Sequence, residues 1–437
     1  MSHPGLKSAG GGRRRPLTAV EAAATRRFPL YPGARPPILG AAMTRRALAL
    51  RYAAYYGAVF LALGVYLPFW PVWLAHRGLA AAEIGLLLAL TSWIKVLALP
   101  PVARLADLSG RPNAALALLA GLTLAAFSGF FLAEGFAGIL TVQLMTALVF
   151  HSLIPLGESQ TMAAVRRDGL DYGRVRLWGS LAFILGALGA GELLTGRSPE
   201  LLLWLILAAL GATLTAALAL PASRNPENTG KPGAGSMTRG SPRLRSLLAD
   251  RGFLLFIATA SLLQASHAVY YGFSALAWRA AGMSEAAVGW LWSEGVLAEI
   301  LFFWASAPLL RRGGPASLLV LAGLAGLLRW VLLGATTALP LLIAAQALHA
   351  FTFGAAHLAA VHFIAERAPP GLSATAQSLY AALSGGLAMG LSTLLAGWLY
   401  QAEGAGAFYA MAAMSAAGFA LAGLLAWRQR TGAKTFP

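Results

Sequence analysis

Twelve apolar stretches, separated by shorter polar or basic segments, run through the chain near 50–75, 82–103, 113–133, 137–165, 173–195, 200–221, 252–280, 285–310, 315–334, 337–365, 372–400 and 404–427. A helix needs about 20 predominantly apolar residues to cross the hydrocarbon core of a bilayer. Inside that core the backbone must satisfy its own hydrogen bonds. The chain therefore reads as an all-α, multi-pass membrane protein. Its composition agrees, with 58% hydrophobic and 11% charged residues among 437, against about 25% charged in soluble domains. Cysteine is absent, which excludes a disulfide framework, a thiolate metal site and a cysteine nucleophile. No H-E-x-x-H, G-x-S-x-G or P-loop pattern is found, so an enzyme is not expected, and neither is a cofactor or a metal.

The net charge of +17 could point to nucleic acid, but its distribution argues for membrane topology instead. Arg77, Arg197 and Arg279 are the basic residues in loops on one side, and Lys95, Arg176 and Arg329 fall within spans. The other 27 of the 33 lie in the termini and in the loops after spans 2, 4, 6, 8 and 10. The positive-inside rule then puts both termini in the cytoplasm. Residues 1–42 carry scattered Arg, Gly and Pro with no apolar core, and read as a disordered cytoplasmic tail or an over-extended gene start before Met43. Residues 43–221 and 252–437 would form two six-helix bundles, and 222–251, rich in Pro, Gly, Ser and Arg, a cytoplasmic linker. Weak internal similarity supports a duplication: Tyr55-Tyr56-Gly57 with Tyr270-Tyr271-Gly272, and Pro101-x-x-Arg104 with Pro308-x-x-Arg311. Repeated halves place a binding site at their interface near mid-membrane.

The ionisable residues inside the spans carry the functional information. A charge at the centre of a membrane helix costs about 2.5–3.5 kcal/mol on insertion scales, and such residues mark cavities, ion pairs or transport paths. Glu158 and Arg176 read as a cavity pair, the arginine suited to a carboxylate. A helix-end carboxylate and a snorkelling arginine are the structural alternatives. Lys95 is either a second cation for an anionic substrate or another snorkelling side chain. Glu294 and Glu299 stand about 140° apart around a helix, so Glu299 is taken as cavity-facing. Arg329 pairs with Glu299 in the structural reading. His349 and His357, eight residues apart, share a helix face and suit a proton relay; two turns separate them, too far to share a metal. Tyr55, Tyr56, Trp70, Tyr270 and Tyr271 could stack on an aromatic substrate or simply pack helices.

The segments VYLPFWPVWL at 65–74, IPLGESQ at 154–160, DYGRVRLWGSLAFI at 171–184, LLRWVLLGATTALP at 327–340 and LHAFTFGAAHLAA at 348–360 carry a resemblance. They closely resemble the phenylpropionate-permease branch of the major facilitator superfamily, from span 1 to span 11. More distantly, the chain is similar to the lactose-permease family of proton-coupled sugar symporters. That family's substrate-holding carboxylate and arginine match Glu158 and Arg176 at the same separation of 18, and its arginine and histidine match Arg329 and His349 at the same separation of 20. Thr352 stands where that family has a glutamate. Asp107, Gly110 and Arg111 match a reduced form of the superfamily loop motif, with Pro112 in place of a basic residue. The resemblance implies a monomeric, proton-coupled symporter of a small organic anion such as 3-phenylpropionate, in a bacterial inner membrane. A nucleoside or sugar symporter, a drug antiporter and a non-transporting sensor are the alternatives. Substrate would meet Glu158, Arg176 and Lys95, and the proton Glu299, Arg329, His349 and His357.

Overall fold

The computed structural model describes residues 44–222, 244–369 and 372–431. The tail expected over 1–42 and most of the linker expected over 222–251 lie outside the described residues. Among those described, eleven helical stretches are long and apolar enough to cross a membrane. The first ten are α1 (Arg45–His76), α2 (Ala81–Leu108), α3 (Pro112–Phe131), α4 (Gly135–Asp168), α5 (Tyr172–Leu194), α6 (Leu201–Leu218), α7 (Arg251–Ala280), α8 (Glu285–Ala305), α9 (Ala307–Ala335) and α10 (Leu339–Arg367). The last, Thr375–Arg430, has 56 residues, about 84 Å of helix against a core of roughly 30 Å. It is two crossings, since Gly404 breaks it at φ 56° and a single 3₁₀ turn, Gly404–Gly406, follows. The chain enters that stretch through Ser373–Tyr380, giving α11 over 373–403 and α12 (Ala407–Arg430). Twelve helices result, where the apolar pattern predicts them. The eighth ends earlier than expected, at Ala305 rather than 310, because the helix restarts at Ala307 and kinks at Gly314 (φ 68°).

Local chemistry sets several boundaries. Thr44 caps α1 by accepting from Ala47 N, Asp250 caps α7 by accepting from Gly252 N and Phe253 N, and Ser284 caps α8 by accepting from Ala287 N.

The two sets of six helices repeat one pattern of neighbours. In the first, α1 packs on α5 and α6, α2 on α4, and α3 on α6. In the second, α7 packs on α11 and α12, α8 on α10, and α9 on α12. The sets meet through α2 against α11, α5 against α8 and α1 against α7. At the end of the bundle away from the termini these contacts are backbone-close. A Cβ on Gly85 of α2 would lie 2.7 Å from Gly397 Cα of α11, and one on Gly191 of α5 would lie 2.6 Å from the Glu285 carbonyl oxygen. Two hydrogen bonds join the sets there: Ala82 N donates to Gln401 Oε1 at 3.0 Å, and Ala286 N to Thr195 Oγ1 at 3.0 Å. Small residues that let helices approach closely are the usual means of association in lipid, where hydrophobicity supplies little.

Candidate transport site

The site begins with the turn between α4 and α5. Gly169, at φ 69°, ends α4 in the left-handed conformation, and Asp171 caps α5 by accepting from Arg174 N at 3.1 Å. The hairpin brings Glu158 and Arg176 together, with Glu158 Oε1 3.9 Å from Arg176 Nε. Tyr172 Oη donates to the same carboxylate at 3.2 Å. The ion pair is loose, longer than a bidentate fork requires. The guanidinium lies instead over the Phe60 ring of α1, 4.1 Å from its centroid, and its Nη1 is buried without a partner.

A cavity of about 200 Å³ lies between the two sets of helices. Arg176 and Ser180 line it from α5, Glu299 from α8 and His349 from α10, with Tyr270, Tyr271 and Trp292 among its aromatic lining. The volume is below the roughly 300–1,000 Å³ of drug-sized sites, which suits a compact solute.

Behind the wall formed by α10 lies a fully buried cation, Arg329, at 0% exposure. Its Nη1 is 2.9 Å from His349 Nδ1 and donates to Thr352 Oγ1 at 3.0 Å, and its Nη2 donates to Gln346 Oε1 at 2.9 Å. Tyr270 Oη donates to the same Gln346 oxygen at 3.1 Å, and the Tyr270 ring lies 4.4 Å from the guanidinium. Guanidinium can only donate, so His349 Nδ1 accepts, and the neutral ring carries its proton on Nε2. That nitrogen lies 3.8 Å from Glu299 Oε2. A second chain of bonds runs outward from Thr352, whose Oγ1 is 3.2 Å from His267 Nε2. His267 Nδ1 faces the carbonyls of Leu263 and Gln264, both acceptors. Nδ1 therefore holds the proton and Nε2 accepts from Thr352.

Local backbone explains how α10 serves this network. Residues Ala350–Ala355 form a π-helical segment between His349 and the α-helix that follows. Such single widened turns occur often at functional positions.

The structure corrects or refines several expectations. The structural alternative for Arg329, a direct ion pair with Glu299, does not occur: the imidazole of His349 stands between them, so the two charges communicate through the ring. Lys95 does not line the cavity. Its Nζ donates to the Gly385 carbonyl of α11 at 3.4 Å, because α2 packs there on a second π-helical segment, Ala381–Ala388. His349 and His357 do share a face, but Phe353 is stacked between them, with centroids 5.4 Å from the first ring and 6.0 Å from the second. His357 is exposed where His349 is buried. Asp107 sits exposed in the last turn of α2, Gly110 follows at φ 63° and Arg111 precedes α3. Tyr270 and Tyr271 line the cavity, whereas Tyr55 and Trp70 are packing residues within α1's core contacts. His267, Gln346 and Tyr172 are site residues that sequence reasoning missed, and Thr352 entered it only as a missing glutamate.

Residues 49–411 match the model of the MFS_1 like family. The chain belongs to that family. It is a membrane transporter of major facilitator type, not an enzyme. This MFS_1 like transporter is 39% identical over 376 residues to the "Probable 3-phenylpropionic acid transporter" of Escherichia coli (strain K12), covering 84% of this chain and 94% of that one. It is 29% identical over 385 residues to the maltose permease of Geobacillus stearothermophilus, covering 87% and 95%. Among solved structures, the nucleoside transporter NupG matches with a TM-score of 0.73 at 15% identity, covering 89% of this chain and 100% of that one. A bacterial homologue of the human lysosomal transporter Spinster, in an inward-facing and unoccupied conformation, matches with a TM-score of 0.63 at 16% identity, covering 90% and 96%. At those identities the structural likeness speaks to the fold alone.

Proposed function

We propose that this MFS_1 like transporter takes up a small organic anion together with a proton by alternating access, with 3-phenylpropionate as the first candidate. One observation carries the reading. A single cavity is lined by an arginine of one bundle, with no carboxylate within hydrogen-bond range of its Nε, and by a carboxylate beside a tautomer-fixed histidine of the other. Arg176 would hold the substrate carboxylate, with Glu158 beside it at 3.9 Å as a loosely paired counter-charge. Tyr270, Tyr271 and Trp292 are the aromatic part of the wall that an aromatic body would meet. The name of the Escherichia coli relative supports this substrate class.

Glu299 is the proton carrier in this scheme. Its charge faces His349 Nε2–H, and His349 is tied through Nδ1 to Arg329. A proton on Glu299 removes the anion that the His349–Arg329 unit faces, so the charge of the second bundle's cavity wall changes with loading, the differential that couples the proton to a conformational preference in this scheme. A second proton on His349 would set an N–H against the Arg329 donor and break that bond. His349 therefore gates the proton rather than storing it, and His357 extends the aromatic column toward the end that bears the termini. The bundles 43–221 and 252–437 would rock about the cavity, with Asp107, Gly110 and Arg111 acting at the α2–α3 turn. The cation distribution supports placing both termini in the cytoplasm, and the proposal takes a bacterial inner membrane and a monomeric working unit from the resemblance.

Reconstituted vesicles test the proposal directly. With an alkaline interior, labelled 3-phenylpropionate should enter faster than it does in protein-free vesicles, and collapsing the pH gradient should abolish that excess rate. Accumulation of maltose or a nucleoside in its place, with no response to aromatic acids, would overturn the assignment.

A further inference from the structure

Arg176 is held in an unusual pose for an arginine with a carboxylate nearby. Its Nε stays 3.9 Å from Glu158, beyond hydrogen-bond range, while its guanidinium lies 4.1 Å from the Phe60 centroid. Glu158 is occupied by Tyr172 Oη. Gly179, one turn beyond Arg176, completes the seat: a Cβ there would lie 2.9 Å from Arg176 Nη1 and 3.0 Å from Phe60 Cδ2. A methyl group there would push the guanidinium or the ring out of this pose. The result is a buried Nη1 with no partner on a residue that lines the cavity.

We propose that Phe60 and Gly179 are positioning residues that hold Arg176 as a preformed anion receptor. The proposal rests on the reading of Arg176 as the substrate's cation. The balance of forces favours this pose. Glu158 and Arg176 have side chains 41% and 31% exposed, and ion pairs so exposed contribute little. A guanidinium on a ring face gains more as it loses water. At this exposure the ring contact is at least the equal of the ion pair, so Glu158 leaves the guanidinium on the Phe60 face, where the ring uses none of its N–H groups. The substrate then meets an arginine whose side-chain freedom is already spent, which raises affinity without a new contact.

Counterflow of labelled 3-phenylpropionate, giving KM and Vmax separately, tests this in full-length protein whose folding is checked by gel filtration. Phe60→Leu removes the ring face and Phe60→Tyr keeps it. Phe60→Leu and Gly179→Ala should each raise KM about tenfold with Vmax little changed, the size of a partly desolvated cation–π contact. Phe60→Tyr should keep the wild-type KM. A wild-type KM for Phe60→Leu, or a Phe60→Tyr as impaired as Phe60→Leu, overturns the positioning role. Should Gly179→Ala fail to fold, the Phe60 pair decides alone. Transport lost in Arg176→Ala while Phe60→Leu and Gly179→Ala keep wild-type KM would sink this proposal and leave the site intact. A wild-type protein that takes up no aromatic acid, or an unaffected Arg176→Ala, would instead sink the reading of the site.

Discussion

Glu299 and Arg329, the opposite charges on α8 and α9, do not touch: His349 stands between them, 3.8 Å from the carboxylate and 2.9 Å from the guanidinium. The arrangement makes the two charges separable by experiment.

Glu299→Gln should uncouple the transporter. The amide keeps the shape of the carboxylic acid but cannot release a proton. Counterflow of 3-phenylpropionate should persist, while accumulation driven by a pH gradient disappears. Uptake by the wild type should rise as the outer pH falls, and that dependence should flatten in the variant. A Glu299→Gln protein that still concentrates substrate would show that the proton travels elsewhere.

His349→Phe should destabilise the protein more than its volume change suggests. It leaves Arg329 Nη1 one acceptor short in a fully buried site, and a hydrogen bond to a charged group is worth about 1.5–3 kcal/mol. His349→Gln can return an oxygen to the same place. Thermal melting of detergent-solubilised protein should rank wild type above the Gln variant and the Gln variant above the Phe variant. Equal melting of the two variants would mean that the acceptor does not matter.

Arg329→Lys should fail even though it conserves the charge. Three bonds leave two nitrogens of one planar fork toward His349, Thr352 and Gln346, and an ammonium cannot reproduce that spread. Uptake should be lost together with folded yield. Near-normal uptake would show that a point charge suffices.

Lys95→Met should leave KM for 3-phenylpropionate unchanged, since Lys95 reaches the α11 backbone rather than the cavity. A raised KM would restore Lys95 to the binding site.

Gly85→Val should open the end of the bundle away from the termini, because even a Cβ at this position meets Gly397 Cα at 2.7 Å. The chain has no cysteine, so a single cysteine placed at Ser180 would report access from that side by its rate of alkylation. An unchanged rate would mean that the seal lies elsewhere.

The fold was legible because it rests on one strong signal. Runs of about 20 apolar residues leave few alternatives in lipid. The charged site residues were legible for the same reason, each being a costly exception within an apolar run. Their partners were harder to see. His267, Gln346 and Tyr172 carry no formal charge and look like ordinary polar residues in sequence. The π-helical turns in α10 and α11 leave no periodic trace over so few residues, yet they accompany the positions of Thr352 and Lys95. The alternative of a direct pairing of Arg329 with Glu299 failed because a sequence gives the charges and not the ring that fits between them.

The close approach of Gly85 to Gly397 bears on how the protein moves. A door sealed by interlocking side chains must let each of them find a new rotamer before it can swing. Here bare main chain lies against bare main chain, so parting and rejoining involve little reshuffling of flexible groups. The latch at that end therefore owes its tightness mainly to the outline of two helices, with the bonds from Ala82 N to Gln401 and from Ala286 N to Thr195 as the few polar ties to be broken and remade.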